Sequence, residues 1–250
     1  MTEPKSQSLD LLGIKPIADA AAAVTKASID GASAFLSRIC LPACEEFGLL
    51  LRDKVSTWRA KNALAIAAMA ERILESEDTS EGVHGHPRLV GQILEQGAWS
   101  DDSTVQELWA GLLASSCDAN GNDDSNMMFV DILSRLTVSQ VRLLDHACVT
   151  ATKIVSPGGW LIAQQNYAPI EKVRDVSGIA DDQRIDRELD HLRILGLLEL
   201  VGGGFNPHAT DAGLTPTTLA LHMYARCHGH RGNPAEYYAV DGVDTESGST

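Results

Sequence analysis

Positive charge is almost missing from the middle of this 250-residue chain. Residues 76–130 carry ten acids and a single base, Arg88. Residues 1–75 balance nine acids against nine bases, and residues 131–250 set fifteen acids against ten bases, for a formal net charge of −14. A surface this acidic repels phosphate backbones and anionic lipid headgroups, and suits a basic partner or solubility. Long apolar runs are missing too. The best stretch, residues 31–51, is broken by Arg38, Glu45 and Glu46, whereas a membrane-spanning helix needs about 20 mostly apolar residues. Residues 1–12 lack the basic start and apolar run of a signal peptide. The cysteines, Cys40, Cys44, Cys117, Cys148 and Cys227, are odd in number and form no Cys-x-x-Cys pair, which excludes a compact disulfide framework. A reducing cytoplasm with free thiols is therefore expected.

Signatures of catalysis are also lacking. Ser33, in Gly-Ala-Ser-Ala-Phe, misses the second glycine of a nucleophile elbow. Asp145 and His146 are neighbours on an expected helix and point apart. Gly202-Gly-Gly is not followed by a lysine and a helix, so a hairpin tip explains it better than a phosphate loop. Asp118, Asn120 and Asn122 open with the ligand spacing of a calcium loop. Asp123 then stands where a glycine is needed for the sharp turn, and Phe129 where a bidentate glutamate is needed. That pattern reads as a solvated loop. His222, Cys227, His228 and His230, like His84 and His86, have spacings that fit no usual structural zinc site. Cys40 and Cys44 are four apart, but Pro42 between them breaks regular geometry, so they read as small buried thiols. Glu95, Asp101 and Asp102 could be imagined as a nuclease metal site, and helix capping explains them more simply. No catalytic residue, metal ligand, cofactor or small-molecule substrate is assigned, and the chain is expected not to be an enzyme.

What is present is helical periodicity. A helix with a narrow apolar stripe is predicted over residues 14–38, with Ile17, Ala21, Val24, Ser28 and Ala32 at helical spacing. A long helix follows over 45–77, with Leu51, Val55, Trp58, Ala65, Met69 and Ile73 as its buried face. After a glycine-containing loop comes a short helix over 88–96. Another starts at Ser100-Asp-Asp-Ser-Thr, where Ser103 and Gln106 could form a capping box. Helical spacing resumes at Met127, and Thr137 starts a further helix carrying Val141, Leu144 and Cys148. Ser156-Pro-Gly-Gly is a clear break. Beyond it lie a short helix over 169–176 and an amphipathic helix over 181–195, with Ile185, Leu189, Leu192 and Leu195 inward. Gly196 serves as its stop, since glycine accepts the left-handed conformation cheaply. A strand, a glycine-rich turn and a last helix over 217–227 complete the pattern.

Three helices, a glycine-rich hairpin and a final helix are how a winged-helix domain reads. Such domains often bind DNA, and Arg184, Arg187 and Arg193 on the candidate recognition helix are the residues that would do so. The same helix carries Asp181, Asp182, Asp186, Glu188 and Asp190, leaving it at −2, and no lysine or arginine lies between Arg193 and Arg226. Phosphate neutralisation supplies most non-specific affinity, so this layout favours a protein surface over a duplex.

Several stretches resemble the abortive-infection alpha family of bacterial proteins. They are Leu12-Gly-Ile-Lys-Pro-Ile-Ala-Asp-Ala, then Glu45-Glu-Phe-Gly-Leu-Leu-Leu-Arg-Asp-Lys-Val with Trp58-Arg and Lys61-Asn62. Glu107-Leu-Trp-Ala-Gly-Leu-Leu-Ala-Ser and Phe129-Val-Asp-Ile-Leu-Ser-Arg-Leu-Thr follow. Together they run over roughly residues 11–225. The resemblance implies a role in phage resistance, in which an infected cell halts growth or dies, and it supplies no catalytic residues to transfer.

The expected architecture is mainly α. A helical region over 14–130, behind a flexible leader at 1–13, packs on a winged-helix-like α+β domain over 131–230, and an acidic, disordered tail fills 231–250. The expected function is phage defence through a protein partner or self-association, as sensor or growth-arrest effector. A DNA-binding regulator and a membrane-active toxic effector, refolding its first two helices onto a bilayer, are the alternatives. The apolar stripes are modest for the latter, since interfacial helices usually pair strong moments with basic faces.

Overall fold

The computed structural model of the chain describes residues 26–40, 57–76, 82–200 and 210–240. These residues are mainly helical, with three two-stranded antiparallel sheets. The leader, Pro42 and Cys44, the first parts of the two N-terminal helices, the glycine run at 202–204 and residues 241–250 lie outside them. The chain divides into two compact units, Met1–Ser134 with Arg226–His230, and Arg135–Ala225 with Arg231–Thr250.

The first unit comprises α1 (Lys26–Ile39), α2 (Thr57–Ser76), β1 (His84–Gly85), α3 (Pro87–Gly97), α4 (Ser103–Ser115), β2 (Cys117–Asp118) and α5 (Met127–Ser134). Helix α2 is the hub and packs on α1, α3 and, most extensively, α4. Its buried apolar residues are Ala60, Ala63, Leu64, Ile66, Ala67, Ala70 and Leu74. That face is rotated from the expected one. Trp58 is exposed, and Ala65, Met69 and Ile73 are only half-buried. The alanines explain the rotation, because a small-residue face lets neighbouring helices approach on two sides, which a bulky stripe would prevent. Glycine has the same use at two contacts. A Cβ on Gly97 would come 2.7 Å from Ile66 and 2.9 Å from Trp109, and one on Gly111 would strike the backbone carbonyl of Cys227. Helix α4 starts one residue earlier than the capping box expected at Ser103. Asp102 is the cap, and its carboxylate accepts the Val105 N–H at 3.2 Å, while Gln106 turns back to the Ser100 carbonyl at 2.8 Å. A charged acceptor at the positive end of the helix dipole is the stronger cap.

The second unit comprises α6 (Val138–Thr150), β3 (Lys153–Val155), β4 (Leu161–Ala163), β5 (Tyr167–Pro169), α7 (Ile170–Ser177), α8 (Asp182–Ile194), β6 (Asp211–Gly213), the body of α9 (Thr218–Cys227) and α10 (Pro234–Tyr237). Thr137 and Gln140 close a reciprocal capping box on α6, as its sequence implies: the Thr137 hydroxyl accepts the Gln140 N–H and the Gln140 amide oxygen accepts the Thr137 N–H. Helices α7 and α8 end at Gly178 (φ 69°) and just before Gly196 (φ 72°), both in the left-handed region. Helix α8 packs on α6 and α7 through Ile185, Leu189 and Leu192, while Leu195 is only half-buried. Strand β5 pairs with β6 in the register Tyr167↔Gly213, Ala168↔Ala212 and Pro169↔Asp211. The strand expected after Gly196 is reduced, among the described residues, to one bridge, Leu198↔Pro216.

Two further features depart from expectation. The Ser156-Pro-Gly-Gly break is the tip of a hairpin, β3 with β4. Residues 231–240, assigned to a structureless tail, hold α10. There Tyr237 meets Tyr224 edge-on and Tyr238 stacks on it, at centroid distances of 6.1 and 6.4 Å. The Tyr238 hydroxyl donates to the Leu221 carbonyl at 3.0 Å. Aromatic area outweighed the acidic composition that had suggested disorder.

Candidate functional site

Helix α8 carries the residues singled out for nucleic acid, and its start is held electrostatically. Asp181 caps it by accepting the Gln183 N–H, and Arg174 of α7 grips Asp182 in a fork, with Nε to Oδ1 at 2.8 Å and Nη2 to Oδ2 at 2.7 Å. The hydrogen bonds from Arg174 hold the Asp182 carboxyl below the usual range, and Asp182 in turn raises the guanidinium pKa.

The three arginines do not converge on an open face. Arg184 Nε lies 3.6 Å and Arg187 Nη2 lies 3.7 Å from the same oxygen, Oε1 of Glu188. Arg193 Nη1 bonds Asp190 Oδ1 at 2.9 Å, and its side chain is only 7% exposed. Glu188 is buried, and its second oxygen accepts the Thr137 hydroxyl at 3.4 Å. Gln140 ties the same place together, with Nε2 at 3.4 Å from the Glu188 carbonyl and 2.8 Å from His191 Nδ1. The acids of α8 thus do more than lower its net charge, because they sit against its bases. A phosphate approaching this helix would have to displace these pairs.

The other sequence candidates fall into structural roles. In the loop after β2, Asp118 Oδ1 accepts the N–H groups of Asn120 and Gly121, both at 2.6 Å, and Oδ2 accepts that of Asp123 at 3.2 Å. Burial alone would raise the Asp118 pKa, and the combined amides of residues 120–123 outweigh it and lower the value. The carboxylate organises its own loop. His84 pairs with Asp118 across β1 and β2, and His86 stands at the N-cap position of α3 without a side-chain capping bond, its Nδ1 buried and unbonded. Among the described residues no three His, Cys, Asp or Glu side chains are grouped to hold a metal ion. Cys40, Cys117, Cys148 and Cys227 are buried, and burial pushes the Cys227 thiol up to about 12. Asp145 accepts the Tyr224 hydroxyl at 2.9 Å. Burial first and then Lys172 lower the pKa of its neighbour His146. Ser33 is fully buried in α1. Asp102 caps a helix, as the sequence had suggested for the acids there.

A family model described as abortive infection alpha matches residues 61–211. The chain belongs to the abortive infection alpha family. Neither a curated protein nor a solved structure matches it.

In this abortive infection alpha chain, the stretches of the resemblance at 12–20 and 45–55 lie outside the described residues, and those that are described consist largely of packing residues. From Glu107 to Ser115 the sequence is the body of α4, where Trp109, Ala110, Gly111, Leu112 and Leu113 are buried. From Phe129 it runs through α5 to the Thr137 cap. Of the Trp58-Arg and Lys61-Asn62 pairs, Asn62 is buried and donates to the Ala98 carbonyl at 3.1 Å, and Arg59 stacks over the exposed Trp99 ring at 4.0 Å. Sequence reading missed Glu188 as a hub, the Tyr224–Tyr237–Tyr238 cluster, and the β3–β4 hairpin with exposed Trp160 at its tip. Only the hairpin had a usable signal, a turn motif between short β-branched runs. No helix among the described residues is long and apolar enough to cross a membrane.

Proposed function

We propose that this abortive infection alpha protein serves phage defence through protein contacts, as a sensor of infection or as the effector of growth arrest. We read residues 135–225 as a winged-helix module turned to protein recognition. The order helix α6, strand β5, helices α7 and α8, bridge strand and β6, with β6 returning to pair with β5, supports that reading of the fold.

One observation carries the preference for protein over DNA. The helix that such a module lays in the major groove holds Arg184 and Arg187 against Glu188 and keeps Arg193 covered against Asp190. Duplex binding draws its affinity from bases free to replace counterions along phosphates. Here those bases already have carboxylate partners. In this reading the protein acts without a catalytic centre of its own, and Asp145, Asp118 and Glu188 serve the fold.

The test is made in cells. The double variant Arg184→Ala/Arg187→Ala, expressed in phage-challenged bacteria, is expected to protect as well as the parent chain. Loss of protection by a double variant that melts like the parent would return the function to nucleic acid.

A further inference from the structure

We infer that residues 231–240 form a regulatory strap, which closes over Tyr224 in the resting chain and has to open for the protein to act. This rests on the protein-contact reading and adds its control.

The strap is short and reaches the rest of its unit through its tyrosines. Its one helical turn, α10, starts at Asn233, whose side-chain oxygen accepts the Ala235 N–H at 3.0 Å. No residue of α10 is buried. A four-residue helix is too short to be stable alone in water, so the closed form depends on what the tyrosines touch. Tyr238 lies on the Tyr224 ring and Tyr237 meets its edge. The Tyr238 hydroxyl donates to the Leu221 carbonyl at 3.0 Å. The Lys153 ammonium, which donates to the Val149 carbonyl at 3.2 Å, rests 5.1 Å from the Tyr238 ring centroid. These contacts tie the strap to β3 and α9 within the second unit.

The far end of the strap is weak. The Ala239 N–H donates to the Glu236 carbonyl at 3.0 Å and the Val240 N–H to the Ala235 carbonyl at 3.1 Å. This pair of bonds is a Schellman terminator, in which the residue just past the helix turns left-handed and is usually glycine. Helix α8 ends with the same two bonds, Gly196 N–H to Arg193 and Leu197 N–H to Leu192, and has its glycine there at φ 72°. The strap has Ala239 instead, at φ 49°, and among the described residues no other non-glycine residue has a positive φ. A Cβ makes that conformation unfavourable. Backbone strain of this kind persists where the surroundings over-determine it, and it gathers at switches. Here it opposes the tyrosine contacts, because local opening of residues 231–240 relaxes Ala239.

Opening uncovers the Tyr224 ring, which is buried while the strap is closed and whose hydroxyl is held by Asp145 at 2.9 Å. It also parts the Lys153 ammonium from its aromatic partner. Tyrosine is a frequent anchor of protein contacts, so the closed strap withholds a residue of the kind that the protein-contact reading needs.

The experiment is hydrogen exchange, read by mass spectrometry on the full chain, for the parent, Ala239→Gly and Tyr238→Ala. In the parent, amides of residues 235–240 are expected to exchange well before those of α9. Ala239→Gly, which suits the left-handed position, is expected to slow strap exchange about fivefold. Tyr238→Ala is expected to speed it while α9 keeps its protection. Ala239→Gly is also expected to weaken phage protection, because it holds the strap shut. Strap amides that exchange no sooner than those of α9, or that do not respond to Ala239→Gly, overturn the proposal. So does full phage protection by an Ala239→Gly chain whose strap exchange has slowed. The exchange readout needs no phage, so the two readings fail separately. Loss of protection by Arg184→Ala/Arg187→Ala sinks the protein-contact reading, and an unresponsive strap sinks this inference alone.

Discussion

Arg184 and Arg187 share one oxygen of Glu188, at 3.6 and 3.7 Å. The helix therefore neutralises itself, and the neutralisation can be undone. Its five acids and three bases give −2. Replacing Asp186, Glu188 and Asp190 by Asn, Gln and Asn brings it to +1. The triple variant is expected to gain weak, salt-sensitive duplex binding that the parent lacks, read by fluorescence anisotropy at low salt. An unchanged signal would mean that charge is not what keeps α8 off DNA.

Backbone contact at Gly111 is a second test. An added methyl group meets the Cys227 carbonyl, which no rotamer can relieve. Gly111→Ala is expected to cost about 3 kcal/mol, the upper range of overpacking. Gly31, in α1, has nothing closer than 3.9 Å to such a methyl. Gly31→Ala is expected to stabilise by roughly 0.5–1 kcal/mol through helix propensity. Urea unfolding of both variants checks the contrast.

Thr137 closes the α6 capping box and also reaches Glu188. Thr137→Ala is expected to destabilise by about 1 kcal/mol. Thr137→Ser, which keeps the hydroxyl, should recover most of it in the same unfolding assay.

The lowered pKa of Asp118 has a definite sign in stability. The folded value lies below the ordinary 3.8, so the contribution is complete above that value and is lost as pH falls through the folded one. The Asp118→Asn variant should be less stable than the parent at about pH 6, and the gap should narrow below about pH 3.8. A gap that stays constant with pH would remove the charge on Asp118 from the explanation.

Much of the helical pattern was legible in the sequence because caps and stops are local. Thr137 with Gln140, Gly178 and Gly196 each act within a few residues. What escaped was tertiary. The buried face of α2 depends on which helices flank it, and alanines fit either side, so periodicity alone chose the wrong face. The tail reading failed over 231–240 because Tyr224, ten or more residues away from Tyr237 and Tyr238 in the chain, supplies their partner. For the candidate site, the charge sum of α8 was readable. The sharing of Glu188 was not, because it depends on distant residues, Thr137 at the carboxylate and Gln140 at the Glu188 main-chain carbonyl.

The most direct measurement is the affinity of the purified full chain for duplex DNA at physiological salt, followed as salt is varied. Binding no stronger than the weak non-specific level, about 10⁻⁴–10⁻⁶ M, is the expected result. Tight binding that falls steeply with salt would show a continuous cationic face and contradict the assignment of residues 135–225 to protein contacts.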